Sequence, residues 1–145
     1  MHPELEFLVR LSIAAVFSAI LGWEREAARK SAGLRTHMLV GVAAALYTAI
    51  AELAVADIGP SESGFQADPI RAVQAVAIGI GFLGSGVIFV SRRDERVQGL
   101  TTAASIWATA AIGIATGLGY YRLAGGATLL LLFVLRVLIR FDADD

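Results

Sequence analysis

The sequence has no cysteine, only three prolines and few charged residues. Without cysteine, the protein has no disulfide, no thiolate metal ligand and no cysteine nucleophile. Lys and Arg number 12 against 13 Asp and Glu, and the resulting net charge of -1 provides no basic field to recruit nucleic acid. The scarcity of proline, together with unbroken apolar runs, also argues against disorder.

Hydrophobic residues are abundant instead, at 57% of the chain, and the mean hydropathy is +0.69. Soluble domains contain about 45–50% apolar residues. A membrane-spanning helix needs about 20 mostly apolar residues, and the sequence offers five such windows, at residues 5–23, 38–56, 72–91, 100–119 and 123–141. We therefore predict an all-α fold, a polytopic membrane helix bundle of about five transmembrane helices that forms a single domain over residues 1–145.

Basic residues in the predicted loops indicate the orientation of the bundle. The first and third loops contain seven Lys and Arg residues, namely Arg25, Arg29, Lys30, Arg35, Arg92, Arg93 and Arg96. The second and fourth loops contain only Arg71 and Arg122. Because cytoplasmic loops carry the excess of Lys and Arg, we expect the N-terminus outside and the C-terminus in the cytoplasm. The acidic start does not resemble a signal peptide, so we expect it to be retained.

Small residues recur at every fourth position in four of the predicted spans, which is typical of closely packed membrane helices. These ridges are Ala14, Ser18 and Gly22; Gly41, Ala45 and Ala49; Ala77, Gly81 and Ser85; and Thr101, Ser105, Thr109, Gly113 and Gly117. We expect a tight bundle of the first four helices with the fifth outside. Packing is a commoner role for such ridges than a substrate path, and the same ridges allow a homodimer.

The third span contains the literal pattern G-x-G-x-x-G, formed by Gly79, Gly81 and Gly84. A dinucleotide site would need a strand before this pattern, whereas here it lies inside an uncharged span. With Gly86, these glycines weaken a helix by up to about 1 kcal/mol each relative to alanine, so the span can be thin, kinked or locally unwound. A broken helix at mid-membrane is also how transporters build ion sites.

Catalysis by a serine nucleophile is disfavoured. Ser85 lacks the G-x-S-x-G context, and His2 and His37 lie near the ends of the predicted spans. We therefore predict no catalytic residue and no cofactor.

The segment before the third span supports two interpretations. Asp68 suits a helix N-cap, Pro69 a first helical position and Arg71 an ion pair with the cap. Asp68 could also join other acidic residues of the outer face as an oxygen ligand of a hard cation such as Mg²⁺, with Glu52, Asp57 and Glu62 as the other ligands. We favour the cap, and the two roles are compatible.

The first predicted cytoplasmic loop, residues 24–37, contains many charged and polar side chains. Glu26 and Lys30 are spaced for an i,i+4 ion pair, which predicts a short interfacial helix ending at Gly33. The loop is either an anchor that follows the positive-inside rule or a surface for phosphate or a partner protein. Arg10 and Glu52 both lie near the outer ends of their spans and are spaced to pair.

Five motifs together resemble those of the MgtC/SapB family of bacterial inner-membrane proteins. They are GWERE at residues 22–26, GLRTHMLV at 33–40, DPIR at 68–71, GIGFLGSGVI at 79–88 and GLTTAASIW at 99–107. The motifs follow the family's order and cover nearly the whole chain. The resemblance implies a five-span domain in the inner membrane, in a short form without the family's cytoplasmic C-terminal domain. Ser85 departs from the alanine usual in the family's glycine motif.

The resemblance also implies a role. Proteins of this family are associated with growth at low Mg²⁺, with survival inside host cells and with inhibition of the rotary ATP synthase, which implies a non-enzymatic regulator of another membrane protein. The alternative is an ion or small-solute transporter or channel with a polar path lined by the third and fourth spans. The residues that the resemblance carries over are Glu24, Arg25, Glu26, Arg35, Thr36, His37, Asp68, Arg71, Gly79, Gly81, Gly84, Gly86, Thr101, Thr102, Ser105 and Trp107.

Overall fold

A computed structural model describes residues 3–58, 69–90 and 97–137, and within these ranges it contains five helices and one short hairpin. The helices are α1 (Pro3–Ala27), α2 (Leu34–Ile58), α3 (Pro69–Ser85), α4 (Leu100–Gly117) and α5 (Tyr121–Val137). Between α3 and α4, strand β1 (Phe89–Val90) pairs antiparallel with β2 (Val97–Gln98). The predicted helical bundle is confirmed.

Three helices are long and apolar enough to cross a membrane: α1 over residues 5–27, α2 over 34–56 and α4 over 100–117. The third helix is apolar but shorter, with 17 residues. The fifth also has 17 residues within the described part of the chain. The side of the membrane on which each terminus lies stays a prediction.

The third helix ends earlier than the sequence predicts. The prediction of a helical span that continues to residue 91 is wrong, because α3 stops at Ser85 and the chain then turns. In this turn the Gly86 amide donates to the Leu83 carbonyl at 3.2 Å and the Val87 amide to the Gly84 carbonyl at 3.2 Å. Glycine costs up to about 1 kcal/mol in a helix interior, and here the consequence is termination rather than a kink.

The centre of the bundle is formed by α1, α2 and α4, which contact one another along their lengths. The third helix packs on α2 and α4, whereas α5 packs on α1 and α4. The prediction of four inner helices with only the fifth outside is therefore wrong, since α3 is peripheral as well. Each peripheral helix has its own apolar core: Val76 and Ile80 of α3 pack in one cluster, and Ala124 and Leu135 of α5 in the other.

Small residues allow the three central helices to approach closely. A Cβ atom on Gly41 would collide with the Ser18 side chain of α1, and one on Gly113 would collide with the Gly41 carbonyl. A Cβ on Gly117 would lie 2.7 Å from the Ala45 carbonyl oxygen. The predicted ridges of α1, α2 and α4 are thus confirmed as packing faces, except that Thr101 at the start of α4 is exposed.

The ridge predicted for α3 is wrong. Gly81 and Ser85 are exposed, whereas Val76, Ile80 and Gly84 are buried. The larger apolar side chains face the core here because α3 packs on only one side of the bundle.

Candidate functional site

Two charged residues at the end of α1 form a buried ion pair. Arg25 is fully buried, and its Nε donates to Glu24 Oε2 at 2.5 Å while its Nη2 donates to Glu24 Oε1 at 2.9 Å. The same Nη2 lies 3.4 Å from the Leu135 carbonyl oxygen of α5. Because α1 continues to Ala27, both side chains lie inside the bundle instead of in the loop that the sequence predicts.

His37, in the first turns of α2, is also fully buried. Its Nδ1 lies 2.9 Å from the Gly33 carbonyl oxygen, which can only accept, so Nδ1 carries a proton. Its Nε2 lies 3.1 Å from Ser105 Oγ of α4. A Cβ atom on Gly22 of α1 would lie 3.0 Å from the His37 Cβ, and His37 therefore joins all three central helices at this end.

Together, these residues form a buried polar cluster that consists of Glu24, Arg25, His37 and Ser105. Glu24 and Arg25 are close enough to His37 to interact with it electrostatically. Breaking a buried ion pair by removing one partner costs about 3–5 kcal/mol. These side chains are therefore bound into the protein interior and do not form an accessible surface.

The loop between α1 and α2 (residues 28–33) differs from the prediction. No short interfacial helix forms there, and the ion pairs among the described residues do not include Glu26 with Lys30. Instead, Glu26 Oε2 accepts a hydrogen bond from the Leu34 amide at 2.8 Å and so caps the N-terminus of α2. Gly33 is needed for this contact, because a Cβ atom there would lie 2.8 Å from Glu26 Oε2.

The end of α1 is closed by a Schellman motif. The Lys30 amide donates to the Arg25 carbonyl at 3.0 Å, and the Arg29 amide donates to the Glu26 carbonyl at 2.9 Å. Arg29 has φ 52°, in the left-handed region where glycine is usual. The sequence gives no signal for an arginine in this conformation.

A second charged cluster lies at the opposite end of the bundle. The Arg10 side chain is 11% exposed; its Nη1 donates to Glu52 Oε2 at 2.7 Å and its Nη2 to Glu6 Oε1 at 2.6 Å. Its Nη1 also donates to the Gly117 carbonyl at 2.8 Å. The predicted pairing of Arg10 with Glu52 is confirmed, while Glu6 and Gly117 were missed as further partners.

The hydroxyl groups on α4 turn back onto their own helix. Ser105 Oγ donates to the Thr102 carbonyl at 2.8 Å, Thr109 Oγ1 to the Ser105 carbonyl at 2.8 Å and Thr116 Oγ1 to the Ile112 carbonyl at 2.7 Å. Thr48 of α2 and Thr128 of α5 do the same. These bonds satisfy the hydroxyls without requiring water or a solute.

The residues predicted as functional do not form one site. Five of them are buried at the α1–α2 loop end of the bundle: Glu24, Arg25, His37, Thr102 and Ser105. Six others are exposed to the outside: Glu26, Arg35, Thr36, Arg71, Thr101 and Trp107. Glu24, Arg25, His37 and Ser105 make their contacts inside the bundle. Among the exposed residues, Glu26 is already engaged with the Leu34 amide, and the others face outward.

The predicted functional glycines of the α3 region also differ in their surroundings. Cβ atoms on Gly79 and Gly81 would meet nothing within 4 Å in the described part of the chain, whereas one on Gly84 would contact Ala103 of α4 at 3.6 Å. Gly86 belongs to the turn that follows α3. Only Gly84, among the four, therefore serves packing between helices.

The predicted metal ligands are only partly described. Asp68 and Glu62 lie outside the described residues, as does the Asp57 side chain, whereas Glu52 pairs with Arg10. Pro69 is the first residue of α3, as predicted for a helix N1 position. Within residues 3–58, 69–90 and 97–137, no three His, Asp or Glu side chains are grouped so that they could hold a metal ion.

These features define a helical membrane protein: three apolar helices are long enough to cross a membrane and pack through small residues, with a buried ion pair near one end and a partly exposed one near the other. Its sequence matches the MgtC family over residues 11–143. The chain therefore belongs to the MgtC family, as its motifs indicate.

Several curated relatives are similar over most of this chain. It is 42% identical over 132 residues to the Escherichia coli K12 protein named "Putative magnesium transporter YhiD", with 91% of this chain and 60% of YhiD covered. It is 36% identical over 126 residues to protein MgtC of Salmonella typhimurium, with 87% and 49% covered. It is 35% identical over 127 residues to protein SapB of Bacillus subtilis, with 88% and 54% covered.

The chain spans about half to three-fifths of the length of these relatives. No solved structure matches the chain.

Proposed function

We propose that this MgtC-family chain is a non-enzymatic protein of the bacterial inner membrane that regulates a second membrane protein and, through it, ion homeostasis when Mg²⁺ is scarce. The observation that carries the proposal is the state of the α4 hydroxyls. Ser105, Thr109 and Thr116 are buried among the packed central helices, and their hydroxyls donate to carbonyls of their own helix, so these oxygens do not face an open polar path. A bundle closed in this way is better suited to docking than to conduction.

The surface proposed for docking is the exposed part of the α1–α2 loop and the start of α2. Arg29, Lys30, Arg35 and Thr36 are exposed there. Glu24, Arg25 and His37 are excluded from this surface because they are buried. The proposed partner is the membrane-embedded part of the rotary ATP synthase, which the family resemblance implies, and a second copy of the chain is the alternative partner.

Transport of Mg²⁺ is the second candidate function. The name of the YhiD relative describes it as a putative magnesium transporter. One structural feature favours this candidate: α3 ends at Ser85, inside the apolar stretch of residues 72–91. Helices that end within the membrane are used by transporters to build ion sites.

Ion flux in proteoliposomes distinguishes the two functions. Purified protein is reconstituted beside its Asp68→Ala and Asp68→Asn variants, with folding checked by circular dichroism and gel filtration, and Mg²⁺ uptake is followed with an internal dye. We expect the wild type to match empty liposomes. Uptake that Asp68→Ala abolishes in a folded sample would overturn the regulatory function and establish transport.

A second measurement tests the partner. The chain is expressed in Escherichia coli, and inverted membrane vesicles from these cells are assayed for proton pumping driven by ATP hydrolysis. We expect pumping to fall, and we expect Arg35→Glu, which reverses an exposed charge of the docking surface, to restore it. Arg122→Glu, an exposed charge reversal at the start of α5, is the matched control and should leave the inhibition intact. Pumping that the wild-type chain leaves unchanged would contradict the ATP synthase as partner.

A further inference from the structure

A cavity opens beside the α1–α2 loop, at the same end of the bundle as the buried polar cluster. Its volume is about 510 Å³, and it is bordered by Arg29, Lys30 and Ser31 of the loop and by Thr101 and Thr102 of α4. Pockets that bind small molecules commonly measure about 300–1,000 Å³. The cavity is therefore large enough for a ligand group, and it lies where the central helices end, at the expected depth of lipid headgroups.

The charged side chains that line this cavity in the described part of the chain are both basic, Arg29 and Lys30. The first turn of α4 adds to them, because it contains no acidic residue and its N-cap, Gly99, supplies no side-chain hydrogen bond. The first amide N–H groups of a helix lack intrahelical partners and lie at the positive end of its dipole. The cavity thus provides charge and hydrogen-bond donors suited to an anion.

An unpartnered hydroxyl on a nearly buried residue independently indicates a ligand. Thr102 is 5% exposed and lines the cavity, yet its side chain makes no hydrogen bond with any residue that the structure describes. The other buried hydroxyls of α4, on Ser105, Thr109 and Thr116, all donate to backbone carbonyls. The Thr102 hydroxyl is therefore available to a molecule in the cavity.

The edge of the cavity is apolar. Phe89, Val97 and Leu100 border it and are 54–57% exposed. Exposed apolar side chains at the end of a membrane bundle contact the glycerol and upper acyl region of lipids. A ligand that combines a phosphate with an apolar body fits both parts of the cavity.

We propose that this cavity binds the phosphate group of an anionic phospholipid, with Arg29 and Lys30 as the cationic contacts and the Thr102 hydroxyl as a hydrogen-bond donor. Inorganic phosphate offers the same chemistry without the apolar body. Arg29 and Lys30 also belong to the surface proposed for docking, but the test below uses the purified chain and lipid with no partner protein, so its outcome is separate from the tests of the proposed function.

The variant Arg29→Gly removes one cation while favouring the fold, because φ 52° is a conformation that glycine adopts without strain. Lys30→Gln removes the other cation. Thr102→Val replaces the hydroxyl by a methyl group of the same shape and breaks no hydrogen bond in the described part of the chain. Arg35→Gln is the matched control, since Arg35 is exposed two residues into α2 and does not line the cavity.

Binding is measured by calorimetric titration of the full chain in non-ionic detergent with dihexanoyl phosphatidylglycerol, dihexanoyl phosphatidylcholine and inorganic phosphate. We expect phosphatidylglycerol to bind more tightly than phosphatidylcholine. We expect the Arg29→Gly, Lys30→Gln double variant to weaken phosphatidylglycerol binding at least about tenfold, and Thr102→Val to weaken it about fivefold. The Arg35→Gln control should stay within about twofold.

Competition identifies the source of the phosphate. Displacement of phosphatidylglycerol by millimolar inorganic phosphate supports a site for the phosphate group alone, and failure to displace it supports a site for the whole lipid. Equal affinity for the two lipids would overturn the proposal. So would a loss in Arg35→Gln as large as the loss in the double variant, because binding would then follow the net charge of the loop and not this cavity.

Discussion

At the scale of single residues, the main finding is that two charged residues adjacent in the sequence can form an ion pair inside the protein. Glu24 and Arg25 follow Trp23, and their position at the end of an apolar window predicts a loop exposed to water. Because α1 extends to Ala27, both side chains are carried into the bundle, where Arg25 is also near the backbone of α5. A pattern of apolar windows locates a helix, but it does not show how far the helix continues through charged residues that pair with each other.

Replacing Arg25 alone should destabilise the protein strongly. Arg25→Met leaves the Glu24 carboxylate buried without a cation, and we expect a loss of about 3–5 kcal/mol in the free energy of unfolding. The measurement is reversible unfolding in mixed micelles followed by circular dichroism.

The double variant Glu24→Leu, Arg25→Met is the control. Arg25 Nη1 makes no hydrogen bond with any described residue, so the pair is incompletely satisfied, and replacing both charges by apolar groups should recover most of the lost stability. Equal stability of Arg25→Met and the wild type would contradict a structural role for the pair.

At the scale of elements, the α1–α2 connection shows why spacing alone misleads. The i,i+4 spacing of Glu26 and Lys30 is compatible with a helix, but Glu26 gains more from the unpaired amide of Leu34 than from a solvated lysine. An exposed i,i+4 ion pair contributes about 0.2–0.5 kcal/mol, whereas a helix N-cap contributes typically about 1 kcal/mol. The cap therefore determines the conformation of the connection.

Removing this cap should destabilise α2 specifically. We expect Glu26→Ala to lower the free energy of unfolding by about 1 kcal/mol and to speed amide hydrogen exchange in the first turn of α2. Lys30→Ala should leave both quantities unchanged, because Lys30 does not pair with Glu26. Similar effects of the two variants would indicate that the two side chains pair after all.

The positions of most helices follow from the sequence, whereas some helix ends and neighbours do not. The windows at residues 5–23, 38–56 and 100–119 correspond to α1, α2 and α4, because length and apolarity alone specify a membrane helix. The end of α3 at Ser85 could not be located, because four glycines weaken the helix over a range without selecting one position. His37 is buried, whereas its neighbours Arg35 and Thr36 are exposed. This difference could not be predicted either, because it depends on which face of α2 meets α4.

At the scale of the whole molecule, the assembly depends on close contact between backbones in the centre. Gly113 of α4 faces the carbonyl of Gly41 on α2, and Gly41 faces Ser18 on α1. Membrane helices gain little by burying apolar surface from one another, so close approach and van der Waals packing hold them together. The small-residue ridges predict this arrangement correctly for α1, α2 and α4.

A single methyl group at this crossing should separate the helices. We expect Gly113→Ala to cost about 1–3 kcal/mol through overpacking, measured by thermal unfolding in detergent. Gly126→Ala is the matched control in α5, where a Cβ atom meets nothing within 4 Å in the described part of the chain, and it should stabilise by up to about 1 kcal/mol. Comparable behaviour of the two variants would contradict the crossing geometry.

The early end of α3 also has a consequence for the surrounding bilayer. A hairpin with two paired residues on each strand is poorly suited to hydrocarbon, so under the regulatory function we expect β1 and β2 to lie outside the apolar layer and α3 to cross it alone. Its 17 residues, at a rise of about 1.5 Å each, give about 25 Å against a hydrocarbon thickness of about 30 Å. The resulting hydrophobic mismatch, at fractions of a kcal/mol per Å, is relieved when lipids thin beside α3. The protein should therefore create a locally thin, asymmetric annulus and partition toward membranes with shorter acyl chains.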